Sequence, residues 1–330
     1  EVINVRENLG ITEVANFSKH EFKGPDARKF LDHIMAGKLP KPGRISLTPM
    51  LTYRGKLYGD LTVACFDENE FMVFGSGAAQ EMHRRWFESH LGKFNLKYKN
   101  RSDEFHGLSI AGPKSRDLLQ KVVRENVSNE SFKFRDSRKM FVAGVPAIIN
   151  RISFTGELGY EIYVAPHFQL KLYEELTNAG KEFNIKPFGG RALMSMRLEK
   201  NWGAWTLDYR PDFTAKETGL DVFINWDKDF IGKDSAQKDD SKNKLVPLIV
   251  ETNDIDVTFN EAVLKGDKSI GYITSGGFAH FVNKSVAFSY VDHNELISEK
   301  GIQVEINGDF FNCSIIKEPL YDPLGQKMRS

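Results

Sequence analysis

The sequence predicts an α+β chain that ends in an all-β domain, and three observations carry this. First, Glu21-Phe22-Lys23-Gly24-Pro25-Asp26-Ala27-Arg28-Lys29-Phe30-Leu31 reads as strand, tight turn and helix, and Ser109-Ile110-Ala111-Gly112-Pro113-Lys114-Ser115-Arg116-Asp117-Leu118-Leu119 reads the same way. In both, Gly-Pro ends an apolar stretch, and proline suits a first helical turn, where its missing N–H is not needed. The echo predicts two related α+β halves, each a sheet with helices on one side. Second, period-2 runs at 56–65 and 70–75 stand beside segments of helical periodicity. Third, beyond the polar stretch Lys238-Asp239-Asp240-Ser241-Lys242-Asn243-Lys244, only short alternating segments remain, parted by turns such as Asn307-Gly308-Asp309. The domains expected are therefore 1–104, 105–240 and 241–330.

Taken in order, 56–65 and 70–75 are predicted strands and 78–91 a helix. A helix after the second Gly-Pro runs to about 123, and strands are predicted over 140–149 and 151–164. A helix over 169–179 follows, and another begins near Gly190 with Arg191-Ala192-Leu193-Met194-Ser195-Met196-Arg197-Leu198-Glu199, rich in good helix formers.

At 330 residues the chain can bury a sizeable core in two or three domains. Its 45 basic and 45 acidic residues cancel, which argues against a nucleic-acid partner captured by net charge. The basic run His83-Arg84-Arg85 reads as a solvated helix face. Two cysteines, Cys65 and Cys313, form neither a disulfide framework nor a zinc spacing, and a reducing compartment fits. No metal site and no membrane span are expected, since no run approaches the roughly 18 to 20 apolar residues a span needs. The start, Glu1-Val2-Ile3-Asn4-Val5-Arg6-Glu7-Asn8, is not laid out as a signal peptide, and the chain reads as a fragment or a processed form.

Ser153-Phe154-Thr155-Gly156-Glu157-Leu158-Gly159-Tyr160-Glu161-Ile162-Tyr163-Val164 sets two carboxylates about a glycine-hinged turn. In the period-2 run, Tyr160, Ile162 and Val164 fall on one side, and Glu161 and Tyr163 on the other. An acid among apolar strand residues is costly to bury without a donor-rich partner, and the other reading is an exposed hairpin with solvated glutamates. This stretch resembles the pterin-holding segment of folate-dependent aminomethyltransferases. That family includes the glycine-cleavage T-protein and the C-terminal regions of dimethylglycine and sarcosine dehydrogenases. Pro49-Met50-Leu51, Arg54-Gly55 and Gly59-Asp60-Leu61-Thr62-Val63 resemble its aspartate segment, and Ala111-Gly112-Pro113-Lys114-Ser115-Arg116 a helix start. Met196-Arg197-Leu198-Glu199-Lys200, Phe230-Ile231-Gly232-Lys233, Thr274-Ser275-Gly276-Gly277 and Tyr321-Asp322-Pro323 follow in the family's order. The resemblance covers nearly the whole chain. It implies a three-domain ring with tetrahydrofolate in a central channel and a C-terminal β-barrel or jelly roll, and against it the opening of the first domain is missing.

Asp60 opens an apolar strand, where an acid can simply cap a turn. By resemblance it is the catalytic aspartate beside folate N5/N10, holding a proton and stabilising positive charge during one-carbon transfer. Glu161 matches the glutamate that accepts from the pterin's amino-pyrimidine edge, where one carboxylate can take two N–H donors side by side. Phe154 stands where the family usually has tyrosine, so a ring remains and a hydroxyl contact is lost. Tyr160, Phe74 and Ser76 belong to the expected pterin surroundings. Arg197 matches an arginine near the aminobenzoyl-glutamate tail, and its other reading is an ion pair with Glu199 or Glu217. Gly75-Ser76-Gly77-Ala78-Ala79-Gln80 looks faintly like a dinucleotide loop but lacks the third glycine, so a plain helix start is expected and FAD would enter only with a separate N-terminal domain. His280 reads as a solvated loop residue. The stretch Trp202-Gly203-Ala204-Trp205 reads as inter-domain filler and, by resemblance, as the dehydrogenase-type branch.

The resemblance thus implies a transferase that captures a methylene unit from an N-methylated amine of the dimethylglycine or sarcosine type, or from its imine, to form 5,10-methylenetetrahydrofolate. A separate FAD-dependent domain or subunit would perform the oxidation. A free-standing T-protein, a folate-dependent demethylase and a non-catalytic folate-binding protein are the alternatives. The compartment expected is the cytoplasm or the mitochondrial matrix.

Overall fold

The computed structural model describes residues 1–252, 254–297 and 301–330. Its first eleven strands are β1 (Leu9–Glu13), β2 (Ser18–Lys23), β3 (Arg44–Leu51), β4 (Leu57–Asp67), β5 (Glu70–Gly75), β6 (Lys97–Asn100), β7 (His106–Ala111), β8 (Ser137–Val142), β9 (Val145–Asn150), β10 (Gly159–Val164) and β11 (Ile185–Pro187). They form two sheets, in the orders β3-β4-β5-β2-β6 and β11-β1-β7-β10-β9-β8. The order β3-β4-β5-β2 recurs as β8-β9-β10-β7, so the short sequence echo marks a duplicated topology.

The halves also trade strands. β1 precedes β2 in the chain but pairs with β7, while β6 precedes β7 but pairs with β2. The expected boundary at 104/105 does separate β6 from β7, yet residues 9–13 lie in the second sheet. The two Gly-Pro turns accommodate this exchange. A Cβ on Gly24 would lie 2.7 Å from Leu96 Cα, and one on Gly112 would lie 2.5 Å from the Asn8 carbonyl oxygen. Both neighbours belong to the lead-in of a traded strand, and both glycines have positive φ, 141° and 131°. The prolines stand one residue before the N-caps Asp26 and Lys114 of helices Ala27–Ile34 and Ser115–Val122, rather than in the first helical turn. Each turn closes by a 3.0 Å hydrogen bond, from Ala27 N–H to Gly24 and from Ser115 N–H to Gly112.

Helices cover the outer face of each sheet. Phe22, Leu61, Val63, Phe71 and Val73 pack with Phe30, Leu31 and Phe87 on one, and Ile110, Tyr160, Ile162 and Val164 pack with Leu118, Leu172 and Leu176 on the other. The inner faces meet through Val14, Ile45, Ala64, Met72, Phe74, Ile148 and Tyr163. Every residue of β10 is consequently buried.

Predicted helices at 78–91, 169–179 and from Gly190 match Gln80–His90, Gln169–Ala179 and Gly190–Glu199. Two strand predictions are corrected. The one over 140–149 is a hairpin, because Ala143 and Gly144 both take positive φ, 49° and 76°, in a tight turn. The one over 151–164 begins only at Gly159. Ser153 Oγ accepts from the Thr155 N–H at 3.2 Å and Thr155 Oγ1 from the Glu157 N–H at 3.2 Å, which diverts those donors from a ladder and leaves 151–158 a loop.

Six further strands, β12 (Asn243–Val250), β13 (Ala262–Lys265), β14 (Lys268–Ala279), β15 (Lys284–Asp292), β16 (Ile302–Ile306) and β17 (Asp309–Ile315), close a barrel in the order β12-β15-β14-β13-β16-β17. Closure removes sheet edges, and Val246, Leu248, Val263, Ile273, Ala287 and Val304 fill the interior. No described helix is long and apolar enough to cross a membrane.

Candidate active site between the two sheets

Strand alternation decides which side chains enter the space between the sheets. On β4, Leu61, Val63 and Cys65 take the helix-covered face, so Asp60, Thr62 and Ala64 take the inner one. Thr62 pairs with Phe74 of β5. The Phe74 ring lies 4.8 Å from that of Tyr163 on β10, and the Tyr163 hydroxyl donates to Glu161 Oε2 at 2.8 Å. Asp60 and Glu161 therefore line one inter-sheet space from opposite sheets. Leu47, on the same face as Thr62, packs with Trp205 and Tyr209 of the segment that follows helix Gly190–Glu199.

Asp60 keeps part of its surface accessible, yet protein surrounds it closely enough that desolvation pushes its carboxyl up to about 7, against the pull of its own backbone N–H. Leu47, Thr62, Ile152, Phe154, Trp202 and Trp205 are likewise only half-buried. Glu161 is 7% exposed. Burial pushes it up to about 7 as well, opposed by the Tyr163 hydrogen bond and by the Lys19 ammonium. Lys19 is itself buried. Its Nζ donates to the carbonyls of Ala15 and Phe17, each at 2.7 Å. Desolvation lowers it to about 8 against the attraction of Glu13, Asp103 and Glu161.

These two acids differ from the other buried ones. Asp136, Glu157, Glu199, Asp208 and Glu217 are all buried and all have a cationic partner, in turn Arg44, Arg6, Arg6, Arg197 and Lys56. Glu161 has no ion pair among the described residues, and only its Oε2 receives a hydrogen bond. Asp60 has neither an ion pair nor a side-chain partner there. A desolvated carboxyl with free lone pairs suits a ligand that brings its own donors or positive charge. Both carboxyls offer acceptor oxygens to N–H donors or to a cationic nitrogen.

The other expected residues divide. Phe74 faces the recess. Phe154 sits half-buried in the 151–158 loop, and Ser76 in the turn after β5. Tyr160 does not join them, because the alternation of β10 turns it into the helix-covered core, its ring 5.7 Å from Phe132. Arg197 is 1% exposed and occupied. It donates to Asp208 at 2.6 Å, to the Trp202 carbonyl at 3.0 Å and to Ser275 Oγ at 2.8 Å. Asp208 also accepts from the Thr274 and Ser275 hydroxyls, so the cluster bolts the helix to barrel strand β14. Neither alternative partner, Glu199 nor Glu217, is the one found. His280 is exposed, Gly77–Ala79 is the plain start of a helix, and Arg84 pairs with Glu81 and Glu88 on a solvated helix face.

Arg6 escaped the sequence reading. It reaches Glu157 at 3.0 Å, Glu199 at 2.5 Å and the Thr155 carbonyl at 2.7 Å, and stacks 3.8 Å from the Tyr321 ring centroid. It pins the 151–158 loop from 149 residues away in sequence. Its one local signal is an arginine directly after Val2-Ile3-Asn4-Val5.

Two duplicated α+β halves, a closing barrel and an inter-sheet recess with two unpaired acids define a T-protein-type chain. Residues 1–228 match the GCVT N-terminal domain and residues 243–322 the glycine cleavage T-protein C-terminal barrel domain. The chain belongs to the glycine cleavage T-protein family. It is 37% identical over 326 residues to human mitochondrial dimethylglycine dehydrogenase, covering 96% of this chain and 37% of that protein. It is 30% identical over 309 residues to an aminomethyltransferase of Thermoanaerobacter pseudethanolicus, covering 92% of this chain and 83% of that one. The crystal structure of the glycine cleavage system aminomethyltransferase T from Bartonella henselae shares the fold, with a TM-score of 0.88 over 98% of this chain and 89% of that one at 21% identity.

Proposed function

We propose that this chain binds tetrahydrofolate in the inter-sheet recess and loads it with a one-carbon unit from an N-methylated amine of the dimethylglycine or sarcosine type, giving 5,10-methylenetetrahydrofolate. The observation that carries this is the pair of desolvated acids, Asp60 and Glu161, on facing sheets, which among the described residues have no ion pair, while Asp136, Glu157, Glu199, Asp208 and Glu217 each have one. When bound, the folate supplies two nucleophilic amine nitrogens.

The chain's own residues supply position and charge. Tyr163 occupies Glu161 Oε2 and leaves Oε1 to take N–H donors from the pterin, which stabilises the ionised form. Phe74 and Phe154 offer ring faces to the pterin. Asp60, poised near neutrality, holds a proton at its carboxyl and stabilises positive charge on the transferring carbon or nitrogen. The carbon arrives at the oxidation level of an iminium. Two N–H protons of the folate leave with the released amine, so the transfer itself consumes no oxidant. Arg197, neutralised by Asp208, serves to fix the recess wall rather than to bind the folate tail.

The chain spans 37% of the length of the dimethylglycine dehydrogenase it matches. In this reading amine oxidation belongs to an FAD-dependent domain or subunit outside these residues, in the cytoplasm or mitochondrial matrix. A free-standing aminomethyltransferase is the second reading, favoured by the 83% coverage of the bacterial relative.

Anaerobic titration calorimetry with tetrahydrofolate tests the site. Micromolar binding to the wild type that disappears in Glu161→Ala supports it. Absence of binding to folded wild type overturns it.

A further inference from the structure

Asp60 lies just past an irregularity in its strand. Between β3 and β4, Met50 pairs with Gly59 and Leu51 with Leu57, so Tyr58 is an extra, bulged residue. On the other side, the β4–β5 register starts only at Thr62–Phe74, because β5 ends at Gly75. The stretch from Tyr58 to Asp60 therefore lacks a neighbouring strand on one side and is kinked on the other. Bulges re-aim side chains next to active sites, but they also leave backbone groups without ladder partners.

His83 meets that need. It is 1% exposed, and its Nε2 lies 2.9 Å from the Tyr58 carbonyl oxygen. A carbonyl only accepts, so Nε2 carries the proton, and Nδ1 of the neutral ring is an acceptor. Burial lowers the imidazole to about 4, which keeps it neutral at working pH. The ring fits because two glycines make room. A Cβ on Gly59 would stand 3.0 Å from Nε2, and one on Gly75 3.3 Å from Nδ1 and 3.2 Å from Ser18 Oγ. Nδ1 and Ser18 Oγ are both buried without a hydrogen-bond partner among the described residues. Trp205, from the segment over the recess, lies 5.8 Å from the His83 ring.

We propose that His83 is a positioning residue for Asp60: its Nε2–H holds the bulged Tyr58 carbonyl. The proposal rests on the reading that Asp60 acts in one-carbon transfer, and its test keeps the two apart. Histidine 15N NMR of the wild type reads the tautomer with no substrate present, and the Nε2–H form is expected. A Nδ1–H or doubly protonated ring at pH 7 overturns the proposal. Wild type, His83→Phe and His83→Gln are then compared in methylene transfer and in folate binding. His83→Phe keeps a ring but loses the hydrogen bond to Tyr58. It is expected to lower kcat by about 10- to 100-fold, the scale of a small misplacement at a reacting centre, while the folate Kd stays within about twofold. His83→Gln, whose amide can donate to Tyr58, should recover most of kcat. An unchanged kcat in folded His83→Phe, or loss of kcat without recovery in folded His83→Gln, sinks the positioning role. Failure of the wild type to bind folate instead sinks the functional reading and leaves the tautomer result standing.

Discussion

Asp60→Asn should stabilise the protein while abolishing methylene transfer. In the unfolded chain the Asp60 carboxyl ionises near 3.8, but in the fold only near 7. The folded state thus holds a proton that the unfolded state has lost throughout that window, so stability is greatest below the lower value, falls as pH rises through it, and levels off above the higher one. A shift of about 3 units corresponds to about 4 kcal/mol. Because Asp60 keeps some accessible surface, screening reduces this to about 2 kcal/mol. An asparagine has nearly the same shape and no charge to desolvate, so it recovers this amount at pH 8 and almost none at pH 4. For a chain of this size about 2 kcal/mol raises Tm by about 3 °C. Differential scanning calorimetry of both proteins at pH 4.5, 6 and 8 measures it. A variant less stable than wild type at pH 8, or a Tm difference independent of pH, would refute the claim that Asp60 is an uncompensated desolvated acid.

Three further outcomes follow from the same geometry. Glu161 titrates near 7 in the free protein, and donors from the pterin favour its ionised form. Folate binding should therefore release about one proton at pH 6 and tighten by up to about tenfold per pH unit below 7, as read by calorimetry in buffers of different ionisation enthalpy. Arg6→Leu leaves Glu157 and Glu199 buried and unpaired. It should destabilise by about 3–5 kcal/mol, seen as a lower denaturation midpoint and faster proteolysis within 151–158. Tyr160→Phe removes a buried hydroxyl that has no hydrogen-bond partner among the described residues and that faces the helix-covered core. Its folate Kd should stay within about twofold of wild type by calorimetry, whereas a large loss would put Tyr160 back into the site.

Local pattern was enough to read much of this protein. The Gly-Pro echo reports the duplication because backbone crowding at Gly24 and Gly112 demands glycine in both halves. The helix over 169–179 was legible because its buried leucines, Leu172 and Leu176, recur at helical spacing. The alternation of β10 already set Glu161 and Tyr163 against Tyr160, and counting Tyr160 among the pterin contacts overrode it. The loop at 151–158 was missed because its serine and threonine hydroxyls compete for backbone donors, which an apolar-polar pattern does not register. Only the tertiary structure decided the rest. The strand exchange, the Arg6 anchor, the Arg197–Asp208–Ser275 bolt and the His83 contact to Tyr58 join different elements of the chain, and no periodicity encodes them. The decisive property of the site, that Asp60 and Glu161 have no ion pair among the described residues while the buried acids elsewhere do, is of the same kind. Which residue types alternate along a strand is a local matter, but the charge that faces a carboxylate arrives from another element, so its presence or absence exists only once the sheets have packed.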